Sequence, residues 1–523
     1  MSDTTPQSIL TPDTVETRLG TLNFRDGAPS ADTAAKVYDH LDFSRGVEAF
    51  LGSFRGASLA AIRKGFLENG VQDNDFFLFS ELMDSQGLFL TGNSDTIYLW
   101  GFVDLSDGPM VVDMPKLSLP SGLLGTINDM WFQWVTDLGL PGPDRGEGGK
   151  YLVVGPGYDG PLPDSGFHVS HSSTNVVTVV LRAFMVDNDP SGPVAEIRES
   201  FRVYPYTPGA EGSAVASFLA GEAPLAATPE IPETKFIEGS GRAMNTIPPN
   251  DYSYWEMIND VVQALPADAG EPEVLGQLAA VGIVKGKPFA PDERMRTILE
   301  DAIAVGNAAA RTLLFAPREE EDLAYYEGSA WWNPLFTGGY EFLDPPPQIT
   351  AEGVVAVDSD GARKLNSRIA FFYLATVVTP AMCMRLTGIG SQYLLTTRDS
   401  EGEYLDGAKT YKLNLPAGIP FERFWSIMLY DNQTRSMLQT SQPKPDLGSQ
   451  SGTVAENDDG SIDIYFGPEC PAGVENNWLQ TLPGKGCIPV LRFYSPKASF
   501  FDKSWRPSEI EGRGLAAHHR KER

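Results

Sequence analysis

Asp95, Thr96, Tyr98, Arg182 and Tyr204 are the residues whose types and settings could support chemistry on a small molecule. Asp95 leads directly into the densest apolar stretch of the chain, within NSDTIYLWGFVDLSDGPMVVDMP at residues 93–115. A carboxylate entering an apolar strand needs a partner or a ligand. Asp95 and Thr96 would supply acid, base or orientation, Tyr98 and Tyr204 would donate to a developing oxyanion, and Arg182 would pair a substrate carboxylate. That set describes a hydrolase acting on a small, mostly apolar molecule. The other role open to Asp95 is acceptance of turn amides at the strand end. Trp131, Trp425 and Trp478 lie in aromatic clusters that either pack a core or line a substrate cleft.

Other motifs fail on spacing. The glycines of GPGYDG at residues 155–160 follow a strand, but Pro161 and Pro163 forbid the helix whose N-terminus would hold a pyrophosphate. The sequence has no nucleophile elbow, phosphate loop or metalloprotease helix. His518 and His519 fall in the tail HHRKER, which leaves His40, His168 and His171 as possible bases. His168 and His171 would point to opposite faces of a strand and converge on a metal only in a loop. No cofactor and no metal are expected. A net charge of −29 over 523 residues opposes nucleic acid and anionic lipid as partners. Three cysteines, Cys383, Cys470 and Cys487, form no disulfide framework or zinc pattern and read as buried or free thiols. The N-terminus has neither a basic start nor an apolar run, and no segment reaches the roughly 18 apolar residues of a membrane span. The chain as written is expected to be cytoplasmic, or periplasmic or secreted if a signal peptide was removed.

The elements that must position these residues follow from periodicity. In the stretch after Asp95, Ile97, Leu99, Val103 and Leu105 take one face and Thr96, Tyr98, Trp100 and Phe102 the other, so the strand is expected to be buried on both sides. A turn at Ser106 to Pro109 and a strand from Met110 to Met114 complete a hairpin. Residues 1–32 read as a flexible arm, and 33–90 as two or three short helices leading into a sheet. Residues 91–204 read as a β-sandwich with strands at Tyr151 to Val154 and Asn175 to Val186, and 205–240 as a Pro, Ala and Gly-rich linker. Residues 241–345 read as a helical unit. Short strands at Ile369 to Val378, Tyr411 to Leu415, Phe424 to Tyr430, Ile462 to Phe466 and Ile488 to Tyr494 make 346–510 a second sandwich, and 511–523 a disordered tail. The expected class is mixed and mainly β: two antiparallel sandwiches with helices at the N-terminus and in the middle.

The segments NSDTIYLWGFVDLSDGPMVVDMP, GGKYLVVGPGYDG and VVLRAFMVDND together resemble the domain of unknown function numbered 1254. PFERFWSIMLYDNQT, DGSIDIYFGP, NNWLQTLPGKGCIPVLRFYSPKASFFDKSW and RPSEI resemble its companion, the domain of unknown function numbered 1214. The resemblance runs from about Val37 to Ile510 and implies a β-sandwich, a helical middle unit and a jelly-roll-like C-terminal sandwich. The chain departs from the family's usual NWLPAPxGxF at Gln480 and Gly486. Besides the hydrolase, two classes stand open: a protein binding a carbohydrate or other small ligand on aromatic surfaces, and an assembly protein without ligand chemistry. A homo-oligomer is expected, because the connector and aromatic clusters offer more apolar surface than the cores would absorb.

Overall fold

The computed structural model describes residues 6–118, 122–208, 231–318, 323–336, 339–344, 349–350, 353–354 and 361–513. The expectations for most of the linker and for the HHRKER tail therefore fall outside the described residues. The chain divides into two units, one of residues 1–57 with 249–310, the other of 58–248 with 311–523.

In the first unit, residues 14–29 form antiparallel strands where the sequence suggested a loose arm. Ser30 then caps a helix through its Oγ, which accepts from the Thr33 amide at 3.2 Å. This helix, α1 (Ala31–Glu68), is continuous where two or three short helices were expected. No proline interrupts it, and its glycines sit at close approaches rather than breaks: a Cβ on Gly46 would stand 2.8 Å from the Ala302 Cβ. Phe50 and Phe54 of α1 pack on Tyr254 of α2 (Ser253–Ala264). The Trp255 indole donates to the Leu299 carbonyl of α4 (Glu293–Phe315) at 3.0 Å, and Arg55 pairs with Glu271 just before α3 (Pro272–Ala280) at 2.9 Å. The middle helices thus join the start of the chain instead of standing as a separate unit.

The second unit holds both sandwiches. The first has strands β1 (Phe76–Leu78), β2 (Ile97–Asp104), β3 (Met110–Met114), β4 (Leu123–Asp129), β5 (Trp134–Gly139), β6 (Gly149–Val154), β7 (His168–His171), β8 (Val176–Ala183), β9 (Arg202–Pro205) and β10 (Phe236–Glu238). Its sheets run β10-β1-β2-β8-β4-β5 and β7-β6-β3-β9. Ile97, Leu99 and Val103 of β2 meet Val112 of β3 and Tyr151 and Val153 of β6 in one core. The opposite face of β2 is also covered, since Phe66 of α1 packs edge-on against Trp100 and Phe102. Gly139 closes β5 at φ +70°, and a Cβ there would stand 2.0 Å from the Leu123 carbonyl. Gly139→Ala is expected to cost about 2–4 kcal/mol, read as a lowered urea midpoint.

The second sandwich comprises β11 (Ser391–Leu395), β12 (Thr410–Leu415), β13 (Phe421–Asp431), β14 (Asp446–Gly448), β15 (Ile462–Gly467), β16 (Trp478–Gln480), β17 (Cys487–Pro496) and β18 (Glu511–Arg513). They form sheets β11-β17-β13-β14 and β16-β15-β12-β18 over a core that includes Trp331, Leu413, Ile427, Ile464 and Leu491. Residues 511–513, expected in a disordered tail, pair with β12. The run from Ile369 to Val378, expected as a strand, is instead helical as far as Leu374, in α5 (Leu365–Leu374), and then irregular up to the single turn α6 (Pro380–Cys383). A short unbroken apolar run carries no period that separates a buried helix from a buried strand.

Candidate functional site

β2 and β8 pair with Tyr98 opposite Arg182 and Trp100 opposite Val180, which puts all four on the sheet face turned from the first core. In β17, Leu491 and Phe493 point into the second core, so Val490, Arg492 and Tyr494 alternate to the other face. β11 pairs Tyr393 with Arg492 and Leu395 with Val490. Apart from Tyr494, these outward residues line a cavity of about 80 Å³ with residues 89–93, Pro334 and Leu335, and Phe371, Leu374 to Val377 and Met382 around and beyond the end of α5. That space exceeds what a single water requires, roughly 10–15 Å³ on the same measure.

Most of the wall is apolar, and its charged members are Arg182 and Arg492. The Arg182 guanidinium stacks over the Tyr98 ring at 4.9 Å. Arg492 is 2% exposed; its Nη2 donates to the Tyr430 hydroxyl at 2.5 Å and to the Thr91 carbonyl at 3.5 Å. Among the described residues its Nε and Nη1 have no acceptor. Burial works against the charge of Arg492, yet Tyr430, Tyr494 and Asp95 hold its pKa above the ordinary guanidinium value.

Asp95 lies behind this wall rather than on it. Its Oδ2 accepts from the Ser426 hydroxyl at 2.7 Å and the Tyr494 hydroxyl at 3.3 Å. The turn role falls to Asn93, whose Oδ1 accepts from the Asp95 amide at 3.1 Å and the Thr96 hydroxyl at 3.3 Å. Asn93 also donates to the Tyr98 hydroxyl at 2.8 Å. Ser94 donates to Asp446 at 2.9 Å, so adjacent residues before β2 contact two acid or hydroxyl groups of the second sandwich in reciprocal fashion. Burial raises the pKa of Asp95 against the pull of Arg492 and the two hydroxyls. Burial, reinforced by Asp95, pushes Asp446 up to about 7.

Of the residues singled out from sequence, the structure brings Tyr98 and Arg182 together on the cavity wall, with Asp95 and Thr96 packed behind. Tyr204 is elsewhere, against Val111, Leu152 and Val154, its hydroxyl 3.4 Å from Asp113. Trp131 is buried away from the cavity lining, Trp425 packs the second core, and the Trp478 indole donates to Gly467 at 3.0 Å. His168 packs beside the Tyr151 ring and His171 is exposed; among the described residues no cluster of His, Cys, Asp and Glu could hold a metal. All three cysteines are free, with Cys383 and Cys487 buried. Sequence reasoning missed Arg492, Tyr393, Tyr430 and Asp446. The signal for Arg492 was present: in CIPVLRFYSP a charge interrupts a strand of apolar residues, as Asp95 does at the start of β2.

Two family profiles match, each described as a protein of unknown function: DUF1254 over residues 74–205 and DUF1214 over residues 390–498. Among solved structures, the VPA0106 protein from Vibrio parahaemolyticus shares the fold, with a TM-score of 0.51 at 17% identity over 90% of this chain and 100% of that one. An uncharacterised protein from Burkholderia cenocepacia aligns at a TM-score of 0.36 and 12% identity, over 93% of this chain and 98% of that one. No curated protein matches the chain. Among the described residues no helix is long and apolar enough to cross a membrane.

Proposed function

Because this chain belongs to the proteins that pair DUF1254 with DUF1214, a family whose description assigns no reaction, we propose a function from the cavity: it takes up a small, mostly apolar molecule between the two sandwiches. The carrying observation is a preformed chamber with apolar walls and a few convergent polar groups, which is how small-molecule sites are built. Phe89, Trp100, Leu335, Phe371 and Leu374 supply the apolar contact, and Tyr98, Tyr393 and the two arginines fix orientation. A hydrolase would need a base or nucleophile beside the molecule. Asp95, the carboxylate that the sequence offered for that role, is off the wall and committed to Ser426 and Tyr494, so the geometry supports binding more directly than turnover. A carbohydrate platform draws no support from Trp425, which is 2% exposed in the second core.

The test is thermal unfolding against a panel of small aromatic and aliphatic compounds, with esters, lactones and amides also assayed for turnover. A ligand at about 100 times its Kd adds about 2.7 kcal/mol and raises the midpoint. Ala375→Trp, at the cavity wall, is expected to fold and to abolish that rise. A rise that survives Ala375→Trp, or no rise with any compound, would refute the site.

A further inference from the structure

The cavity wall is one-sided in charge: Arg182 and Arg492 line it, and among the described residues no carboxylate does. A guanidinium cannot shed its charge by deprotonating, so burial has to be met by acceptors. Arg492 meets it only in part. Nη2 is bonded to Tyr430 and Thr91, while Nε and Nη1, in a side chain 2% exposed, find no acceptor among the described residues. The acids behind the wall do not serve, since Asp95 accepts from Ser426 and Tyr494 and Asp446 accepts from Ser94.

We propose that the molecule taken up is a small organic acid whose carboxylate lies against Nε and Nη1 of Arg492. Its apolar body then rests on Phe89, Trp100 and Leu335. This rests on reading the cavity as a small-molecule site. A carboxylate supplies the missing acceptor and carries a charge of opposite sign, which water cannot. Tyr98, whose hydroxyl already accepts from Asn93, keeps its own proton to donate toward a second carboxylate oxygen. A bare phosphate or sulfate fits less well, because the rest of the wall would set apolar side chains against its remaining oxygens.

The experiment is calorimetric titration of the full chain with 3-phenylpropanoate, phenylacetate and hexanoate, each beside its primary amide, and with inorganic phosphate. Each acid is expected to bind about 10–100-fold more tightly than its amide, the range for hydrogen bonds to a charged group. Arg492→Met should weaken the acid more than the amide and so close most of the gap between them. Should that variant fail to fold, the acid and amide pairs on the unaltered chain still decide the matter. Acid and amide binding equally, both lost in Ala375→Trp, would overturn the carboxylate and leave the small-molecule site standing. Phosphate binding as tightly as the acids would replace it with an inorganic-anion site. Absence of binding by every acid and amide would overturn both.

Discussion

Asp95→Ala is expected to cost the fold about 1–3 kcal/mol, the range for leaving buried hydrogen-bonding groups without a partner. Arg492 is the largest of the attractions that hold a charge on Asp95, and the carboxylate accepts from Ser426 and Tyr494 on the same oxygen. Without it, two guanidiniums remain on the cavity wall and two buried hydroxyls lose their acceptor. Asp95→Asn keeps an acceptor oxygen and loses only the charge, so it should fall between the parent and Asp95→Ala. The measurement is urea unfolding of both variants and of Asp95→Ala combined with Arg492→Met. If Asp95 and Arg492 stabilise each other, the double variant loses less than the two single losses added together. Additive losses would show that Asp95 acts through its hydroxyl donors alone.

Stability is expected to fall as pH rises from about 4 to about 7. Burial pushes Asp137 from an ordinary value of 3.8 up to about 7, against hydrogen bonds from the Thr379 hydroxyl and the Ala381 amide. Between those values the unfolded chain has released this proton and the folded chain still holds it, so each step upward in pH favours unfolding. Below the lower value both states are protonated and the fold keeps its full contribution. Above about 7 the loss is complete. The gap is worth about 4 kcal/mol for one group. Asp446, raised to about 7 by burial and by Asp95, adds to the same slope. Unfolding midpoints between pH 4.5 and 8 should therefore decline, and Asp137→Asn should flatten the decline. An unchanged slope in Asp137→Asn would show that Asp137 titrates normally.

Local pattern made much of the fold legible. The alternation in Ile97 to Asp104 assigned Ile97, Leu99 and Val103 to one buried face and Tyr98, Trp100 and Phe102 to another, and the sandwich core and the Phe66 packing occupy those faces. Strands lie at 410–415, 421–431, 462–467 and 487–496, where strand segments were read, and the first of them alternates half-buried and buried residues. Where a segment lacked a period of its own, pattern failed. The run after Ile369 is almost wholly apolar and its first part became a helix, and α1 runs unbroken where two or three short helices were expected.

The sequence by itself determined that Asp95 and Arg182 are charges set into apolar strands, and therefore that each required something to meet it. Only the tertiary structure decided what that was. Ser426 and Tyr494 reach Asp95 across 331 and 399 residues of chain, and Arg492 reaches Thr91 across 401. Such pairs leave no periodic trace, because periodicity records which face a residue takes and not which distant strand comes to cover it. The cavity is less legible still. It exists because two outward sheet faces fail to fill the space between them, a property of neither strand until both are in place.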